Sequence, residues 1–217
     1  MSEAELDIAV DNDVILKAVG FGLARDFWPL QTGLGVLGAA RYVLAKAVTG
    51  ENISGEPEEL QQALQEFLER TVTLEPTEAE IGFAADLVLL AQTNDLELDT
   101  GEAQLSAIVI ERSIAFLETG DKRALSALEA ELDLESRLAR LPGRVRCLEQ
   151  LVAAALVDDR ALERVRAGVC AEPALDTALS ICFACTSNRT LTLHAALEAL
   201  TSYIGSLRRE APRILAL

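Results

Sequence analysis

Histidine is all but missing from this 217-residue chain, and aromatic side chains make up only 4% of it. The lone His194 has no second histidine with which to share a metal, so a histidine-built metal centre is excluded. No aromatic residue interleaves with the arginines of 137–166, so base stacking is not indicated there. No apolar run approaches the ~18–20 residues of a membrane span. The start, Met1-Ser2-Glu3-Ala4-Glu5, lacks the basic and apolar parts of a signal peptide. No membrane association and a cytoplasmic location are the expectations. With no secretory signal, the four cysteines fit reduced thiols better than a disulfide framework.

What is present is an ordinary globular composition, half hydrophobic and one quarter charged. The length allows one good core, or a core with a smaller annex. The net charge of −16 is unevenly spread: residues 1–132 hold 25 acids against 8 bases, and residues 133–217 hold 10 against 11. An acidic surface repels nucleic acid, because phosphate binding depends on clustered Lys and Arg. An RNA ligand would therefore need the arginines of the second part, or a divalent metal.

Strand and helix patterns alternate up to Glu131. Strands are expected near 6–10, 71–74 and 114–118, and helices over 34–48, 58–70, 78–92, 102–112 and 122–131. That alternation predicts an α/β domain with a parallel sheet and right-handed crossovers over residues 1–132. Residues 133–217 read as an all-helical C-terminal extension without strands, with helices near 144–157, 159–168, 173–186 and 192–209. The extension would pack on the sheet domain or form a homo-oligomer interface.

Carboxylates recur where strands give way to helices. Leu6–Val10 runs into Asp11-Asn12-Asp13, and Phe116–Glu118 into Thr119-Gly120-Asp121; between them Leu98-Asp99-Thr100-Gly101-Glu102-Ala103 opens a helix. Singly, each acid is well placed to cap a helix: Asp99 and Glu102 form a capping box, and Asp13 and Asp121 stand at N-cap positions. Capping gives no reason for them to meet. Open α/β sheets build their sites at the carboxyl edge, where these acids fall.

In order and spacing, these three segments over roughly residues 5–130 resemble the PIN domain family of metal-dependent ribonucleases. The first is similar to that family's opening acidic motif, the second to its Leu-Asp-x-Gly-Glu-Ala segment, and the third to its Thr-x-Asp motif. The resemblance implies a three-layer parallel-sheet fold and an RNA phosphodiesterase using Mg²⁺ or Mn²⁺, with Asp11, Asp13, Glu102 and Asp121 as catalytic and metal-binding acids. Family members commonly carry a further acid in the helices after the first strand, whereas residues 27–50 contain none. A metal held by Asp11 and Asp121 would polarise the phosphodiester and lower the pKa of a bound water, with Glu102 or Asp13 orienting the ion or the water. Lys122 and Arg123 are candidate phosphate contacts. One rival is a PIN-fold scaffold or partner-binding protein without activity; another is a small-molecule phosphate enzyme of a different α/β family.

Three further motifs have plain structural readings. Gly33-Leu34-Gly35-Val36-Leu37-Gly38 matches G-x-G-x-x-G but follows no evident strand, so helix packing is preferred to nucleotide binding. Cys182 and Cys185, in an apolar helical run, read as buried reduced thiols. Arg137, Arg140 and Arg144 fall at i, i+3 and i+7, a stripe that is either a solvated face or a grip on RNA phosphates.

Overall fold

The computed structural model describes residues 6–28, 33–50, 53–187 and 190–217. The sequence also reads as a break at Phe27–Pro29 and Gln31–Gly33 and as a polar loop over Glu51–Glu56, of which residues 29–32 and 51–52 lie outside the described residues. Five strands form one all-parallel sheet: β1 (Ile8–Val10), β2 (Leu34–Leu37), β3 (Thr71–Leu74), β4 (Phe116–Thr119) and β5 (Val145–Cys147), in the order β3-β2-β1-β4-β5. The three strands expected from the sequence are all present and parallel. Two others were not anticipated.

The helix expected over 34–48 is instead β2 followed by a helix at Ala40–Ala47. All four residues of β2 are buried, and a short, wholly apolar run carries no alternation to separate strand from helix. Gly35 lets the side chains of Leu6 and Leu74 close over β2, so the G-x-G-x-x-G run is a central strand and its exit. The strand-free reading of 133–217 is likewise overturned. Val145–Cys147 pairs with β4, and its outer edge is covered by Leu215 and by the Ala216 N–H, which donates to the Val145 carbonyl. Three residues are too few to show a period.

The helices are α1 (Asn12–Gly20), α2 (Ala24–Phe27), α3 (Ala40–Ala47), α4 (Pro57–Leu68), α5 (Glu78–Thr93), α6 (Thr100–Glu111), α7 (Lys122–Glu131), α8 (Leu148–Ala155), α9 (Asp159–Ala171), α10 (Thr177–Cys182) and α11 (Leu193–Glu210), with a 3₁₀ turn at Ser136–Arg140. One face of the sheet, through Ile8, Val10, Leu34 and Val36, packs against α1–α4 and α8–α11. The other, through Ala9, Leu37 and Leu117, packs against α5–α7 and the end of α11. The result is a three-layer α/β arrangement whose two cores both contain residues from either side of position 132. No helix among the described residues is long and apolar enough to cross a membrane.

Strand order carries the functional consequence. The chain builds outward from β1 through β2 to β3, then returns to lay β4 on β1's other side. β1 and β4 are thus the topological switch point, where crossovers leave in opposite directions and open a crevice beyond the carboxyl ends. Asp11 follows β1 and Asp121 follows β4 by two residues.

Candidate functional site: an acidic cleft at the switch point

Asp11, Asp13, Glu102 and Asp121 all line one cleft of about 590 Å³, together with Asn12, Lys17, Asp99 and Lys122. Asp11 is held by the sheet, its N–H donating to the Glu118 carbonyl (2.9 Å), while its carboxylate caps α1 by accepting from Asp13 N (3.2 Å). Asp99 and Glu102 form the expected capping box: Asp99 Oδ1 accepts from Glu102 N (2.8 Å) and Glu102 Oε2 from Asp99 N (3.2 Å). Asp121 caps α7, accepting from Arg123 N at 2.7 Å. Asp13, expected at an N-cap, lies instead inside the first turn of α1, whose cap is Asp11, and tertiary structure brings these acids together.

The electrostatics record that convergence. Burial pushes Glu102 up to about 8, aided by the charges of Asp99, Asp121 and Asp11 and opposed by the Asp99 N–H. Burial likewise pushes Asp11 up to about 6, with the Asn12 and Asp13 N–H groups working against it and the charges of Asp13 and Asp99 adding to it. Asp121 goes the other way: the Arg123 guanidinium and two backbone N–H groups outweigh burial and hold it below the ordinary aspartate range.

Three cations at this edge are already engaged. Lys17 Nζ lies between Asp13 Oδ2 (2.7 Å) and Asp176 Oδ2 (3.0 Å). Arg123 binds Asp121 through Nη2 (2.8 Å) and Glu97 through Nη1 (2.7 Å). Lys122 pairs with Glu149 (3.3 Å) and lies 4.6 Å from the centre of the Tyr203 ring. Lys122 and Arg123, expected as phosphate contacts, are thus tied to carboxylates. Gly120 is the hinge of this packing, because a Cβ there would overlap the Asp13 carboxylate.

Sequence reasoning missed Lys17 and Asp176. Lys17 carried a signal, four residues after Asp13 on one helix face. Asp176 carried none, being the N-cap of α10, 163 positions beyond Asp13. The arginine stripe resolves as structural. Arg137 pairs with Glu135 and Asp86, and Arg144 bonds the carbonyls of Ala115 and Ile114, which precede β4 at the sheet edge opposite the cleft.

The cysteine reading needs one correction. Cys182 and Cys147 are free and buried, but Cys185 is disulfide-bonded to Cys170, with Cα atoms 5.0 Å apart. The helical run ends at Cys182, and Ala184 adopts a left-handed φ of 49°, a turn that carries Cys185 back to α9.

Among the described residues, no group of three or more His, Cys, Asp or Glu side chains is arranged to hold a metal ion. The donors that line the cleft are nonetheless all hard oxygens, the kind Mg²⁺ and Mn²⁺ take. Two of them, Asp11 and Glu102, are carboxylates whose pKa values are raised first by burial and further by neighbouring acids. In donor chemistry the cleft fits a divalent cation. No family model, no curated protein and no solved structure matches the chain.

Proposed function

We propose that this protein is a PIN-like, divalent-metal-dependent ribonuclease that hydrolyses RNA phosphodiester bonds in the acidic cleft. The observation that carries the reading is that four capping acids, from α1, α6 and α7, line one cleft at the β1–β4 switch point. Asp11, Glu102 and Asp121, with Asp13 beside them, would hold Mg²⁺ or Mn²⁺. Such an ion would supply Lewis acidity toward the phosphodiester and lower the pKa of a bound water. The chain's own contribution is preorganisation. Backbone N–H groups fix the Asp11 and Asp121 carboxylates, and the Arg123 guanidinium fixes Asp121 further. Lys17 keeps Asp13 turned toward its own ammonium. Burial and the neighbouring carboxylates raise the Glu102 carboxyl to about 8, a shift that a divalent cation held there would oppose.

A second reading is a scaffold of the same fold without activity. It draws support from Lys17 and Arg123, which already neutralise Asp13 and Asp121. Asp121→Asn divides the two, because Asn keeps the N-cap hydrogen bond and loses the charge. We expect single-stranded RNA to be cleaved only with Mg²⁺ or Mn²⁺, and Asp121→Asn to abolish cleavage with melting lowered only slightly, by the loss of the Arg123 pairing. If the unaltered protein cleaves no RNA with either ion, the scaffold reading holds.

A further inference from the structure

A strand approaching a molecule of net charge −16 is guided by whichever cations are left unpaired. Few are. Lys17, Lys122, Arg123, Arg137, Arg164 and Arg213 each lie against a carboxylate. Arg140 and Arg144 belong to the far edge of the sheet, with Arg140 bonded to Ser113.

Helix α3 differs on every count. It begins three residues after β2, and since the sheet is all parallel, that places it at the same carboxyl edge as Asp11 and Asp121. Val43 of α3 lines the acidic cleft itself. Arg41 and Lys46 are exposed and have no carboxylate partner among the described residues. The acid-free stretch 27–50 contains the whole helix, so no carboxylate on it offsets them. Between them stands Tyr42, 83% exposed and the only exposed aromatic among the described residues. Tyr42 and Lys46, four apart, share a helix face adjoining Val43.

We propose that α3 is the binding surface for single-stranded RNA, with Tyr42 stacking on a base and Arg41 and Lys46 contacting the phosphates next to the one held in the cleft. The proposal rests on the ribonuclease reading and deepens it. An exposed ring flanked by free cations is the combination that binds single strands without demanding a sequence. The net charge of −16 disfavours a strand over the acidic remainder of residues 1–132.

The test is fluorescence anisotropy with a labelled oligouridylate of about ten nucleotides, in EDTA so that binding is read without cleavage. Tyr42→Ala is expected to weaken binding at least about fivefold. Arg41→Ala and Lys46→Ala are each expected to lower the slope of log affinity against log salt by about 0.7. Arg140→Ala, at the opposite edge, is expected to bind as the unaltered protein does. Loss of binding in the α3 variants sustains the site even if no RNA is ever cleaved, which would count against the nuclease reading alone. Unaltered protein that does not bind, α3 variants that all bind normally, or equal weakening by Arg140→Ala would overturn the inference.

Discussion

Glu118 shows how far one side chain's chemistry can depart from its place in the sequence. It lies on β4 between Leu117 and Thr119, fully buried, where Trp28 Nε1 donates to its Oε2 at 2.7 Å and Arg146 stands 3.7 Å from its Oε1. Burial pushes its carboxyl up to about 7, against the pull of the Trp28 hydrogen bond and the Arg146 charge. A folded-state pKa above the unfolded value means the native state binds the extra proton between them. This contribution is therefore present below about pH 4.5 and is lost as pH rises through 7. Trp28 is the chain's one tryptophan, so its emission reports the titration directly. We expect a fluorescence transition centred near pH 7 that disappears in Glu118→Gln. A flat profile in the unaltered protein would show that the carboxyl does not titrate near pH 7.

At the scale of elements, close approach decides what helix propensity does not. Gly168, inside α9, faces the end of α1 so closely that a Cβ would overlap the Phe21 carbonyl. In an exposed helix Gly→Ala gains about 1 kcal/mol. Here backbone blocks the methyl and cannot swing aside as a side chain would. Gly168→Ala is therefore expected to destabilise by about 1–3 kcal/mol, read as a lower urea midpoint at constant m-value. A neutral or stabilising result would mean that α9 slides on α1 without cost. The same distinction explains the two strands that pattern reading missed: β2 and β5 are strands because β1, β3 and β4 offer them partners, and nothing within four or three residues announces a partner.

Across the whole molecule, the C-terminal part braces the cleft. The Cys170–Cys185 bridge closes a loop containing Glu172, which accepts the Ser54 N–H, Leu175, which fills the space beside Gly20, and Asp176, which holds Lys17. For a loop of this length the bridge contributes about 3 kcal/mol, chiefly by restricting the unfolded chain. Replacing both cysteines by serine is expected to lower Tm by roughly 5–10 °C, and reducing the unaltered protein should match it. Identical melting of the two under non-reducing conditions would show the thiols unpaired in solution.

Local chemistry was legible without the fold. The caps at Asp99, Glu102 and Asp121 follow from residue types a few positions apart, as do the amphipathic helices α4 and α7 and the β-branched β3, whereas α1 is capped by Asp11 and not by the expected Asp13. The acids could also be assigned to strand ends, because strand-to-helix changes are themselves local. Only tertiary structure decided that β4 returns to β1's free side, which gathers those acids into one cleft and raises the pKa values of Asp11 and Glu102 by burial and mutual charge. The same holds for Asp176 on Lys17, Cys185 on Cys170, and Arg144 at the far edge of the sheet. Caps and periods are set by neighbours along the chain; pairings across more than a hundred residues depend on where the core places two backbones.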